Sequence, residues 1–151
     1  MANAKPTTIY LKDYSPAPQS VVHVDMTVQL HLTETRIETV LHVKVREAGK
    51  PMVLDGEGIS LVSARIEGVE IQSVFENNQL TFPTVPQHDF KLEIVQTCNP
   101  QANTALSGLY VSNNVFCTQM EAEGFRRFAF MQDRPDVMAT YHVRVEASQE
   151  L

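Results

Sequence analysis

Cysteine is scarce: Cys98 and Cys117 are the only two in 151 residues, and no C-x-x-C spacing joins them. That argues against a disulfide-stapled scaffold and against a zinc site built on thiolates, which need more sulfur at closer spacing. The chain opens MANAKPTTIY, without the apolar segment of an export signal, so the two thiols are expected to stay reduced, with a disulfide between them as the alternative. Positive charge is short as well. Twelve Lys and Arg stand against eighteen Asp and Glu, the net charge is −6, and the only adjacent basic pair is Arg126-Arg127. Nucleic acid and anionic membranes both select basic faces, so neither is an expected partner. No apolar run approaches the ~20 residues that span a bilayer.

What is present is ordinary globular material, 43% hydrophobic and 20% charged. A chain of this length buries ~68–70% of its unfolded surface as one domain, and 1–151 is read as a single β domain. Residues 1–19 are irregular, interrupted by Pro6, Pro16 and Pro18. In VVHVDMTVQLHL, the apolar Val22, Val24, Met26, Val28, Leu30 and Leu32 alternate with His23, Asp25, Thr27, Gln29 and His31. Period two predicts a long strand with one buried and one wet face. After TET the alternation resumes at Ile37, Thr39, Leu41, Val43 and Val45, so the two runs are expected to pair as an antiparallel hairpin.

Further strands are expected in MVLD, ISLVSARI, VEIQSV, QLTF, DFKLEIVQ, RFAFMQ and TYHVRVEA, with a hairpin in GLYVSNNVFCTQ turned at Ser112-Asn113-Asn114. Glu67-Gly68 and Asn77-Asn78 suit turns, because Gly and Asn tolerate positive φ. No amphipathic helix of three turns is visible. The expected fold is all-β, with layered antiparallel sheets in a saddle or sandwich. Leu151 follows the last strand with no closing element, as in a piece of a longer chain.

Familiar catalytic motifs are missing: no HExxH, no Gly-x-Ser-x-Gly elbow, no phosphate-cradling glycine loop. His23, His31, His42 and His142 fall on expected strands among polar alternates, and His88 in a proline-flanked loop; all are read as wet-face or loop histidines. No residue is assigned to a metal. A nucleophile pair of Cys117 with a distant histidine is an alternative to a structural cysteine. The stretch CTQMEAEGF, residues 117–125, is more specific. If 117–121 is extended, Cys117, Gln119 and Glu121 project to one side and Thr118 and Met120 to the other. An amide and a carboxylate about 7 Å apart suit a primary ammonium: the carboxylate supplies charge, and the amide accepts while its NH2 donates to a nearby carbonyl. A solvated sheet edge accounts for the same spacing.

The run from Asn99 to Val145 closely resembles the N-terminal domain of the bacterial aminopeptidase N family, zinc metallopeptidases of the HExxH (gluzincin) class. The motifs are ANTAL-GLY, CTQ-EAEGFR and DRPDV, in order and at close spacing, with LDGEGISLVSARIEG a looser match. The resemblance covers most of residues 10–147. It implies a β saddle leaning on a thermolysin-like catalytic domain, with Glu121 binding the free α-amino group of the peptide and Gln119 lining the same pocket. Met120 stands where the family varies, and Glu123, though it matches the motif, is read as structural. The resemblance also implies a cytoplasmic parent whose zinc ligands and catalytic groups lie outside this chain. The partners would then be the peptide N-terminus and the parent's catalytic domain, and the 151 residues alone would be inactive and hold no cofactor. A free-standing β-sandwich that binds a partner protein is the alternative.

Overall fold

The computed structural model describes residues 10–148. Eleven strands follow in order: β1 (Gln19–Gln29), β2 (Thr35–Val45), β3 (Met52–Asp55), β4 (Ile59–Ile66), β5 (Val69–Glu70), β6 (Val74–Glu76), β7 (Gln79–Phe82), β8 (Phe90–Cys98), β9 (Gly108–Ser112), β10 (Val115–Gln119) and β11 (Thr140–Glu146). A six-stranded sheet runs β11-β1-β2-β8-β4-β5, a three-stranded one β3-β7-β6, and β9 and β10 form a separate hairpin. Every pairing is antiparallel except β1 with β11, which is parallel. Among the described residues there is no α-helix, and so none long and apolar enough to cross a membrane.

Alternation decides the core. Val24, Met26 and Val28 of β1, Ile37, Leu41 and Val43 of β2, and Phe90, Leu92 and Ile94 of β8 are all buried on one face of the large sheet. They join Met52, Leu54, Leu80 and Phe82 of the small sheet in one contiguous cluster, so each sheet buries the other's apolar side. The β1–β2 hairpin forms as expected. So do the tight turns, with positive φ at Glu67 and Gly68, at Asn77 and Asn78, and at Asn113 and Asn114. Two successive left-handed residues match the right-handed twist of the flanking strands.

Five expectations give way. The first strand starts at Gln19 rather than Val21, so the irregular segment ends one residue early; of it, residues 1–9 lie outside the described residues. The β1–β2 ladder shifts register between Val21 and His23, which puts Val21 in the core and leaves Val22 43% exposed. The strand ends at Gln29, and His31 belongs to the following turn, where its Nδ1 accepts from the backbone N–H of Thr33 and Glu34, each at 3.3 Å. VEIQSV is split between the sheets, since Val69–Glu70 pairs with β4 and Val74–Glu76 with β7.

The fifth concerns RFAFMQ. Phe125–Arg127 is a short 3-10 turn, and beyond it only Met131 makes a β-bridge, to Asp55. Phe128, Ala129, Phe130 and Met131 are buried in succession, so no wet face remains to give a strand its alternation. Their peptide groups are satisfied individually instead. Phe130 N donates to Gln96 Oε1 at 2.9 Å. Val21 N donates to Gln132 Oε1 at 3.1 Å, and Gln132 Nε2 donates to Gln19 O at 2.8 Å. Gln132 therefore partners the stretch of β1 that β11 does not reach.

Both cysteines are free. Cys98 is buried at the end of β8, and burial pushes its thiol up to about 11. Cys117 is half-buried; its sulfur lies 3.6 Å from the Val115 carbonyl, and among the described residues no imidazole hydrogen-bonds it.

Two tests follow from this packing. A Cβ on Gly56 would fall on the Phe130 ring. Gly56→Ala is therefore expected to destabilise the chain by about 1–3 kcal/mol through overpacking, and Phe130→Ala by about 3–5 kcal/mol through the cavity it leaves. In the double variant the Gly56 penalty should largely vanish, which urea unfolding of all four proteins measures. At neutral pH a maleimide is expected to label Cys117 in the folded chain, and Cys98 only after denaturant is added, as peptide mapping would show.

Candidate functional site

The stretch singled out in the sequence leaves the sheet midway. β10 ends at Gln119, and residues 121–124 form a turn, so 117–121 is not extended throughout. Met120 O accepts from Gly124 N at 2.8 Å. The Glu121–Ala122 peptide bond is cis, and Glu123 takes φ 63°. Along the strand the alternation survives: Phe116, Thr118 and Met120 line an apolar trough, while Cys117 and Gln119 alternate to the other side.

Close packing fixes the turn from beneath. Gly124 is buried, and a Cβ there would stand 2.6 Å from Gln119 O and 2.9 Å from Ser107 Oγ. Gly108, with φ +76°, lies so near the Arg127 backbone that a Cβ would be 2.7 Å from its carbonyl oxygen. Only glycine meets both demands at Gly108, the left-handed backbone and the missing side chain. Ion pairs hold the sides. Arg126 donates from Nε to Asp133 Oδ2 at 3.0 Å and from an NH2 group to the Asp133 carbonyl at 3.0 Å, and Arg127 pairs with Glu57. Glu123 is drawn back toward Arg126, 3.6 Å away. Phe125 packs edge-on against Phe128 and tilted against Tyr141 of β11, each at 5.8 Å.

Against this frame two polar groups stay available. Gln119 Nε2 donates to the Glu121 carbonyl at 3.0 Å, which anchors the amide and leaves its oxygen free to accept. The Glu121 carboxylate is exposed, and no side-chain hydrogen bond or ion pair engages it among the described residues. Glu123 on the same turn lies against Arg126, and Asp133 and Glu57 pair with Arg126 and Arg127, the arginines that follow it. The turn thus presents one unengaged carboxylate, a fixed amide oxygen and an adjacent apolar wall. That combination can take up a cation carrying N–H donors.

The trough beside it, about 330 Å³, is lined by Val28, Leu109, Phe116, Met120, Phe128 and Val143 among others. Tyr141, Val143 and Val145 of β11 are also exposed. TYHVRVEA was expected only as a strand, with no sign that this face of it stays open.

A grouping that the sequence did not reveal lies on the outer face of the large sheet. His23, His42 and His142 all approach Asp25. Each was read correctly as a wet-face residue, yet their convergence depends on the register of three strands, which no local pattern carries.

The comparisons with known proteins agree with this architecture. The profile of the Peptidase M1 N-terminal domain matches residues 18–151. The aminopeptidase N of Caulobacter vibrioides is 40% identical over 152 residues, 97% of this chain and 17% of that protein. The aminopeptidase N of Escherichia coli is 34% identical over 148 residues, 96% of this chain and 17% of that protein. This chain therefore spans about a sixth of the length of these relatives. Among solved structures, Legionella pneumophila aminopeptidase A in complex with aspartic acid superposes with a TM-score of 0.79 at 29% identity, over 89% of this chain and 17% of that one. An M1 zinc metallopeptidase from Deinococcus radiodurans shares the fold, with a TM-score of 0.77 at 21% identity over 89% of this chain and 33% of that one. The chain is a member of the Peptidase M1 N-terminal domain family, the all-β domain of the M1 aminopeptidases.

Proposed function

We propose that this domain anchors substrate for a zinc-dependent aminopeptidase, with Glu121 pairing with the free α-ammonium of a peptide and Gln119 accepting beside it. The observation that carries this reading is the unengaged Glu121 carboxylate on a turn whose other acid, Glu123, lies against Arg126. A carboxylate awaiting an ammonium selects chain ends: an internal peptide group brings no charge and would leave the acid desolvated and alone. Hydrolysis would fall to the remainder of a longer chain. The HExxH motif of zinc peptidases occurs nowhere in these 151 residues, so they do not fit the catalytic zinc of such an enzyme, and alone they would not cleave peptides. The exposed apolar trough that Met120 lines supports the same division of labour, since a catalytic body packed against it would cover the trough and shield the Glu121 carboxylate from water. Two free thiols suit a reducing compartment, and a cytoplasmic enzyme belongs to this reading.

In the intact enzyme, Glu121→Gln removes charge and keeps shape. Losing one partner of a buried, hydrogen-bonded charge pair costs ~2–5 kcal/mol, so kcat/KM is expected to fall on the order of tens- to thousands-fold. Gln119→Ala should cost less, ~1–3 kcal/mol, because only a neutral hydrogen bond is lost. Glu123→Gln should change activity little. The deciding measurement compares an ordinary substrate with one lacking its α-amine. Glu121→Gln should narrow the preference for the amine; an unchanged preference would show that Glu121 is a solvated turn residue.

A further inference from the structure

The outer face of the large sheet carries a compact set of imidazoles around a single carboxylate. His23 and Asp25 are two apart on β1 and so share a face. His42 of β2 is the register partner of His23, while Thr140 and His142 of β11 are the register partners of His23 and Asp25. Three adjacent strands thus deliver their side chains to one spot, on backbone that the sheet ladder fixes.

The distances are those of a ligand set. His42 Nε2 lies 2.9 Å from Asp25 Oδ2 and His23 Nε2 lies 3.4 Å from Asp25 Oδ1. One ligand atom from each of the three residues falls within 4.8 Å of the others. A tetrahedral ion with bonds of about 2.0–2.2 Å separates its donors by about 3.3–3.5 Å. The His23 edge of 3.4 Å already matches; His42 Nε2, now hydrogen-bonded at 2.9 Å to the other carboxylate oxygen, would move out by about half an ångström as an ion replaces the hydrogen bond, and the gap between the imidazoles would close. The three side chains are 30–43% exposed, so there is room for that adjustment and for a water in a fourth position. The rings of His23 and His42 meet edge to face at 5.0 Å, which aims both Nε2 atoms toward Asp25 without stacking one ring over the other.

A supporting contact is also in place. His23 Nδ1 lies 2.7 Å from Thr140 Oγ1. Ligating imidazoles almost always hydrogen-bond an oxygen through their second nitrogen, which fixes the ring and its tautomer. His142, 80% exposed, approaches Asp25 at 3.5 Å from the rim. Across β2 from His42 stands Lys91 of β8, which makes no ion pair with Asp25. Among the described residues, the carboxylate's charge is thus met only by imidazoles.

We propose that His23 Nε2, His42 Nε2 and the Asp25 carboxylate form a binding site for one divalent transition metal of the zinc type, with Thr140 orienting His23. Two nitrogens and a carboxylate without sulfur suit zinc, cobalt, nickel or copper. Magnesium and calcium, which take oxygen ligands, should be refused. An ion here would bridge β1 and β2 and, through Thr140, bear on the edge strand β11.

The test uses the full 151-residue chain after removal of metal by a chelator. Cobalt(II) titrated into it should give visible d–d absorption that saturates at one ion per chain, is displaced by zinc and is untouched by excess magnesium. His23→Ala and His42→Ala should each weaken binding at least about tenfold, and Thr140→Val by about tenfold, the usual effect of losing an outer-shell partner, with circular dichroism unchanged. In the unmodified chain, nickel(II) should broaden the proton resonances of His23 and His42 before those of His31 and His88, a readout that needs no variant to fold. Absence of saturable uptake, broadening that begins at His31 or His88, or full affinity in the His23→Ala, His42→Ala double variant would overturn the proposal.

Discussion

A peptide segment buried outside any ladder must still find a partner for each N–H and C=O, because an orphaned backbone group costs as much as a lost hydrogen bond. Residues 128–132 impose that constraint here, and much of the domain is arranged to meet it. Gln96 of β8 supplies the acceptor for Phe130, β3 bridges Met131, and Gln132 spends its own amide on β1. The segment thereby ties both sheets together from between. Asp133, the next residue, turns to hold Arg126, and its backbone N–H donates to Asp55 Oδ2 at 3.2 Å. The turn carrying Glu121 hangs from this arrangement through Arg126 and Arg127, so its position is set by core packing as well as by its own Gly124.

That dependence explains what could be seen in advance. The pairs of residues with alternating burial in β1, β2 and β8 were legible because one face is dry, and period two is the direct imprint of that asymmetry. The positive-φ turns were legible because glycine and asparagine are the residues that enter that region cheaply. RFAFMQ misled because an unbroken apolar run says only that a segment is buried, not that it joins a ladder. Val22 misled for a different reason: a register shift of one residue exchanges the faces, and the side-chain amide of Gln132, more than a hundred positions away, helps hold the shifted backbone.

The two polar groupings differ in the same way. Gln119 and Glu121 stand two apart in the sequence, and the donation from the Gln119 amide to a carbonyl was foreseeable from its chemistry. What the sequence did not carry was that the strand stops at Gln119, so that Glu121 owes its direction to a turn. The histidines around Asp25 come from three strands and meet only because β2 and β11 take specific registers on β1. Composition lists such residues, but only the ladder brings them together.

The parallel pairing of β11 with β1 also has a consequence in time. His23 and Thr140, neighbours in space, are 117 positions apart in the chain. At a synthesis rate of ~5–20 residues per second, roughly 6–23 s pass on the ribosome between the first and the second. Through that interval the β1–β2 hairpin can form, since its contacts are local, but the outer edge of β1 has no partner. An open, partly apolar strand edge is a template for pairing with the wrong chain. The nascent domain therefore spends its most vulnerable seconds with β1 uncovered, and the histidines and aspartate along it would lower the hydrophobicity of that waiting edge until β11 arrives to close it.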